Sequence, residues 1–227
     1  MVVAFSKQIK DGTKESHSAA ENTKFVGGFL RGVLDPEEYR KLLTNFWYVY
    51  DTMEQRIEES NDPIVNVLKK WSVDLNRTAS LEQDLRYFYG PMWREQQIPS
   101  QACNTYCYRI NEVAEKDPYL LVAHHYTRYI GDLSGGQILK GIAEKALRPP
   151  VGEGLNFYDF PKIEDAKAWK DSYRETLDGM GFTEQQKSAI ISEANHAFSL
   201  NMYLFDEIHG NAFKGFFKVI VGLLGGK

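Results

Sequence analysis

Two groups of residues in this chain are spaced for chemistry. Lys10, Thr13, Lys14, His17 and Glu21 follow a three-and-four spacing and so share one face of a helix. His17 could serve there as a neutral imidazole ligand to a metal, with Glu21 one turn later to orient it through the other ring nitrogen. The plainer alternative is a surface histidine among polar neighbours. The second group lies within Leu120 to Ala146, LLVAHHYTRYIGDLSGGQILKGIAEKA. Gly131 and Gly135 are four apart, with Thr127 one turn earlier, and a stripe without side chains lets something flat approach the backbone. Close helix packing or a kink would use the same glycines. Arg128 and Asp132, on the adjoining stripe, put a charged acid beside that bare face, which suggests a site.

Other polar residues read less sharply. His124 and His125 are adjacent, so they point about 100° apart around a helix and cannot both face one cleft. Glu193 and His196 form an E-x-x-H of the kind a di-iron carboxylate bundle uses, but the only echo, Asp206 to His209, is on the same helix. Lys170 and Arg174 are four apart, as are Lys10 and Lys14; each pair is a solvated face or, together, a cationic rim for an anionic ligand. Phe198, Asn201, Met202 and Phe205 share a side that suits core packing.

These groups need helices to hold them, and the chain reads as helix after helix. The pattern predicts a first helix from about Ser6 to Asn22, then a short glycine-punctuated one. Asp35 caps a third with Pro36 at its first position, running to about Ser60. A short segment follows through Trp71. Ser80 with Gln83 reads as a capping box for a helix ending at Gly90. Ser100 to Lys116 follows, then a long central helix from Asp117-Pro118 to Arg148-Pro149-Pro150. Three glycines within six positions weaken that central helix by roughly 1 kcal/mol each, so something should compensate. Val151 to Pro161 is the most loop-like stretch. Helices are predicted over Ile163 to Met180 and, from a Thr183/Gln186 capping box, to about Glu207. The expected architecture is all-α: one domain over 1–227, a multihelical bundle with 211–227 a short apolar C-terminal segment.

A chain of 227 residues supports one sizeable core, and 13 Tyr, 13 Phe and 4 Trp suit burial of large flat surfaces. The net charge of −4, without long basic blocks, argues against nucleic acid as a partner. Cys103 and Cys107 have no matching pair elsewhere, so they read as reduced thiols. No signal peptide is indicated. The apolar C-terminus is broken by Lys214 and Lys218 and is too short to span a bilayer, so a docking helix or peripheral membrane contact is expected there.

Four blocks carry a resemblance: TKESHSAAEN (13–22), LVAHHYTRYIGDLSGGQ (121–137), YRETL (173–177) and EANHAFSLNMYLFDEI (193–208). In order and separation they resemble heme oxygenase, and SLEQDLRYFYG (80–90) is similar to the cyanobacterial and plastid-type enzymes. The resemblance implies heme b as substrate and cofactor, O2 as co-substrate, and cleavage at the α-meso carbon to biliverdin IXα, carbon monoxide and ferrous iron. It places His17 as proximal iron ligand with Glu21 near it, and Gly131 and Gly135 over the distal face. Asp132 would be the acid that orders distal waters. Lys10, Lys14, Tyr126, Lys170 and Arg174 match positions around the propionates, and Phe198, Asn201 and Phe205 line the distal side. With Thr13, Thr127 and Arg128 from the same two faces, these make up the expected heme-binding set. The implied partners are ferredoxin, or another reductase, as electron donor and a downstream bilin reductase. The expected protein is a monomer without the transmembrane anchor of the animal enzymes, in bacterial cytoplasm or plastid stroma. A heme carrier that does not degrade its ligand would keep His17 and the cationic rim but have no need of Asp132.

Overall fold

The structure, a computed structural model, describes residues 3–208; the apolar segment 211–227 lies outside them. Regular structure among the described residues is helical throughout. The first half contains α1 (Phe5–Gly12), α2 (Lys14–Glu21), α3 (Lys24–Leu30), α4 (Pro36–Glu59), α5 (Val65–Lys69), α6 (Ser72–Leu75), α7 (Thr78–Tyr89), α8 (Trp93–Gln96) and α9 (Gln101–Lys116). A 3-10 turn at Pro118–Leu120 leads into α10 (Leu121–His125), and two π-helical turns, Tyr126–Ile130 and Asp132–Gly136, join it to α11 (Gln137–Leu147). A second 3-10 turn (Asn156–Tyr158) precedes α12 (Ala166–Gly179) and α13 (Glu184–Ile208).

α4 packs on α7 and α9, and α13 runs across α1, α2, α3, α9 and α10. The core these helices share is rich in large aromatic side chains, among them Tyr39, Tyr50, Tyr106, Tyr129 and Tyr173. Several ends are where local chemistry puts them. Asp35 accepts the N–H groups of Glu37 and Glu38 at the start of α4. Thr183 and Gln186 cap α13 reciprocally, through Gln186 N–H to Thr183 Oγ1 at 3.2 Å and Thr183 N–H to Gln186 Oε1 at 3.0 Å.

Four expectations need correction. The first predicted helix is two, broken at Thr13, whose hydroxyl bonds back to the Ile9 carbonyl at 2.8 Å. Asn195 of α13 holds the break by donating to Gly12 O (3.0 Å) and accepting from Ser16 Oγ (2.6 Å). A Cβ at Gly12 would stand 2.7 Å from Ile191 Cγ2, so only glycine permits this approach of α1 to α13. α7 starts at Thr78 and not at a Ser80 cap, because the Glu54 carboxylate of α4 accepts the N–H groups of Arg77 and Thr78. α12 starts at Ala166 rather than Ile163, capped by Asp165. The central helix is not α-helical throughout: its glycine-bearing middle is π-helical.

The π geometry answers what compensates for the glycines. An inserted residue shifts the backbone register and leaves carbonyls to be satisfied by other groups. Gln137 Nε2 donates to Asp132 O at 3.3 Å and to Tyr158 O at 2.9 Å, and the Lys170 ammonium donates to Leu133 O at 3.1 Å. Side chains from α11 and α12 therefore hold the register of the weakened segment.

Candidate functional site

The π-helical wall and α2 face each other across a cleft of about 600 Å³, within the usual range for small-molecule sites. His17 lies on one side. Its Nδ1 is 3.6 Å from Glu21 Oε2, and its ring meets Phe198 edge-on at 5.7 Å between centroids. Its side chain is 57 % exposed, so the imidazole is presented to the cleft and not built into the core. Lys10, Thr13 and Lys14 line the same wall, and Arg174 and Tyr126 stand at the rim.

Opposite are Gly131 and Gly135. A Cβ built on either meets nothing within 4 Å, so the missing side chains leave open space in the cleft and not a helix contact. Thr127 lines the cleft too, its buried Oγ1 without a hydrogen-bond partner among the described residues. Asn201 of α13, bonded to Arg128, belongs to this side, and Phe46, Phe157 and Phe205 also line the cleft, Phe205 stacked on Phe25 at 5.7 Å; Phe198, expected on the distal side, instead lies against His17. An apolar slot with one imidazole, a bare backbone face, an unspent hydroxyl and a cationic edge fits a flat, apolar, metal-bearing ring with anionic substituents.

Asp132 and Arg128 border the cleft but are buried, 5 % and 8 % exposed. Arg128 donates to Asn201 Oδ1 (2.7 Å), Tyr50 Oη (3.0 Å) and Asp132 Oδ1 (3.3 Å), and its guanidinium lies 4.2 Å over the Phe46 ring. The Tyr50 hydroxyl donates to Asp132 Oδ2. Burial pushes the Asp132 carboxyl above its ordinary range, against the opposing pull of Arg128 and Tyr50. The acid is thus fixed beside the glycines and held where proton uptake is eased.

Lys170 is the one expected residue that does not line the cleft: its ammonium is spent on Leu133 O and on Ser134 Oγ (2.9 Å). Arg174 pairs with Asp171 at 2.6 Å. The residues that sequence reading missed are Tyr50, Asn195, Phe157 and Tyr158. Phe157 and Tyr158 belong to the stretch read as a loop, yet both are buried and line the cleft. The histidines set aside are placed elsewhere. His124 Nε2 is 3.0 Å from Glu193 Oε1, and Arg109 bonds both oxygens of that carboxylate. Burial opposes the charge on Glu193, but these bonds outweigh it and bring the carboxyl to about 2, which commits Glu193 to an ion pair rather than to a di-iron site. His125 Nδ1 meets the Tyr173 hydroxyl at 2.9 Å, and burial lowers the ring to about 3.

Fold and cleft together define an all-helical protein that clasps a planar ligand between an imidazole and a backbone wall. The family model for heme oxygenase matches residues 3–207. The chain is 48 % identical over 210 residues to heme oxygenase 1 of Nostoc, covering 92 % of this chain and 87 % of the relative. It is 44 % identical over 219 residues to the heme oxygenase of Guillardia theta, 96 % of this chain and 91 % of the other. The crystal structure of heme oxygenase-1 from the cyanobacterium Synechocystis in complex with heme superposes with a TM-score of 0.87 at 43 % identity, covering 98 % of this chain and all of that one. The chain belongs to the heme oxygenase family, a family of oxidoreductases.

Proposed function

We propose that the cleft takes heme b between α2 and the π-helical wall, and that the protein opens it at the α-meso carbon to biliverdin IXα, carbon monoxide and ferrous iron. When bound, heme supplies both the iron that activates O2 and the ring that is consumed. The observation that carries this reading is one accessible imidazole, His17, facing a wall left bare at Gly131 and Gly135. No described helix is long and apolar enough to cross a membrane.

His17 offers the iron a neutral nitrogen, and the Glu21 carboxylate near Nδ1 favours the tautomer that leaves Nε2 free to bind. A neutral ligand does not push electron density toward O–O cleavage as a thiolate would. Gly131 and Gly135 let the ring lie against the backbone and place no acid or base over the iron. The buried acid bordering that wall is Asp132, set to one side and fixed by Tyr50 and Arg128. Asp132 would hold the proton delivered to the reacting centre from that side, and the bare backbone would leave room for a flat ring close to the wall. Lys10, Lys14 and Arg174, with Lys170 released from Ser134, would pair with the propionates and fix the in-plane orientation that selects the meso carbon.

The electron donor in this reading is ferredoxin, because relatives at 43–48 % identity include the heme oxygenases of Nostoc, Guillardia theta and Porphyra purpurea, cyanobacterial and algal proteins. A bilin reductase would then consume the product, in a cyanobacterial-type cytoplasm or a plastid stroma. The test is heme binding without oxygen, followed by O2 and reduced ferredoxin. Loss of the Soret band with growth of a bilin spectrum is expected; a Soret band that survives turnover conditions would leave only a carrier.

A further inference from the structure

Behind the cleft, a file of aromatic side chains in contact runs to the surface and branches at its outer end. Tyr50, one layer in, has its ring centroid 5.6 Å from that of Tyr129. Tyr129 is 4.7 Å from His125, and His125 is 5.6 Å from Tyr173, with which it shares the hydrogen bond already described. Tyr173 then contacts Trp71 at 4.4 Å and Trp169 at 5.6 Å, and Trp71 also meets His125 at 5.8 Å and Trp169 at 6.0 Å, so the outer end is branched. The three tyrosines are fully buried or nearly so, and both tryptophans are half-buried.

What sets this file apart from ordinary core packing is where its hydroxyls go. Tyr39 and Tyr48 donate to the carbonyls of Gly154 and Gln97, which cannot keep a proton. Tyr50 donates to Asp132, Tyr129 to Glu54 (3.0 Å), and Tyr173 to His125 Nδ1 in the tautomer carrying Nε2–H; each partner is a base. At the outer end, Trp169 Nε1–H donates to Asp74 at 3.2 Å. A buried phenol gives up an electron readily only if its proton has somewhere to go at the same moment. Electron tunnelling falls steeply with distance, so rings at these separations are suited to successive short steps.

We propose that this file is a conduit for oxidising equivalents: one-electron holes formed beside bound heme travel from Tyr50 through Tyr129 and Tyr173 to Trp71 and Trp169, where a soluble thiol quenches them. The inference rests on the heme reading above. With an alkyl hydroperoxide as oxidant, the O–O bond breaks and ROOH takes up two electrons and two protons to give ROH and H2O. The electrons leave the heme and are replaced one at a time along the file. Each phenol passes its proton to its own base and regains both particles when the next ring outward is oxidised. Trp169 gives its indole proton to Asp74. Two thiols then restore the electrons and protons as they join in a disulfide, so the sum is ROOH + 2 RSH → ROH + H2O + RSSR.

The experiment loads the full chain with ferric heme, confirms the Soret band, and adds cumene hydroperoxide without thiol. Oxidised residues are mapped by peptide mass spectrometry, and radicals by freeze-quench EPR. Oxidation should concentrate on Trp71 and Trp169 and spare Tyr108, which is 70 % exposed and off the file; heme-free protein should show neither mark. Tyr129→Phe keeps the ring but removes the proton-coupled step at the link between Tyr50 and His125. The marks should fall at least about tenfold, with the radical retained on Tyr50. Trp169→Phe, at a half-buried position, should move the marks to Trp71 and serves if Tyr129→Phe does not fold. Marks on Tyr108 as heavy as on Trp169, or marks unchanged in Tyr129→Phe, would overturn the conduit with heme binding intact. Absence of a Soret band before any peroxide is added would instead sink the heme reading, and the conduit with it.

Discussion

Asp84 accepts the backbone N–H of Phe157 at 2.8 Å, so an acid on α7 fixes one wall of a cleft that α7 does not itself line. Its other oxygen accepts both Asn156 N–H and Asn156 Nδ2–H, each at 2.8 Å. The Asn156–Tyr158 turn is thereby held in place, and with it the two aromatic rings it contributes to the site.

This anchor should titrate. Burial raises the Asp84 carboxyl from 3.8 to about 6, although the hydrogen bonds from Phe157 and Asn156 pull the other way. The folded state therefore binds this proton more tightly than the unfolded chain, and the group's contribution to stability falls as pH rises from about 4 to 6. The displacement corresponds to about 3 kcal/mol. Asp84→Asn cannot titrate, and its amide faces the Phe157 N–H, at a cost of about 1–3 kcal/mol. Urea unfolding of both proteins should give a wild-type minus variant difference that declines by about 3 kcal/mol between about pH 4 and 7. A flat difference would mean that the carboxyl ionises normally.

Gly135→Ala should separate stability from function. Open space surrounds its Cβ position and the backbone is helical, so alanine enters without a clash. The ligand-free protein should gain up to about 1 kcal/mol, a rise in Tm of about 2–4 °C. Heme affinity and bilin yield should fall, since the methyl group occupies the face the ring needs. A variant that is stabilised and fully active would show that the bare wall serves packing alone.

The same wall shows what the sequence could and could not reveal. Asp35-Pro36 and Thr183/Gln186 were legible because a cap is made by residues within three positions of each other. Ser80/Gln83 misled because α7 is capped by Glu54, more than twenty residues away, and a distant carboxylate leaves no local pattern. Hydrophobic periodicity located the central rod but not its π turns, since it does not report which carbonyl each N–H meets. His17, Gly131, Gly135 and Asp132 stood out by type and spacing. Tyr50 did not, because within FWYVYDTM it looks like one more core aromatic, and its role depends on meeting Asp132 from another helix. Asn195 was hidden for the same reason, and the Val151–Pro161 stretch gains its structure from distant partners, Asp84, Arg77, Gln137 and Tyr39 among them.

His17→Ala should leave the fold intact, because the side chain is largely exposed and touches only Glu21 and the edge of Phe198. Tm of the ligand-free protein should stay within about 2 °C, as for surface substitutions of ±0.5 kcal/mol. Heme affinity should fall at least about tenfold, the lower range for losing even a group that only orients a ligand. The ferric spectrum should lose its nitrogen-ligated character and recover it on addition of free imidazole. An unchanged spectrum would mean that another nitrogen holds the iron.

Arg174 and Lys170 sit one turn apart but should fail differently. Arg174 is at the cleft rim and bonds only Asp171, so Arg174→Glu should fold normally while reversing the charge that meets a propionate. The ring should then rotate in its plane, and chromatography of the product should show biliverdin isomers other than α. Lys170→Ala removes the donor that satisfies Leu133 O and Ser134 Oγ in the π-helical wall. It should lower stability by about 1 kcal/mol as well as alter the isomer mixture, because the wall that carries Gly135 loses its brace. Pure α product from Arg174→Glu would remove that side chain from the orienting role. An unchanged Tm in Lys170→Ala would show that the π register needs no support from α12.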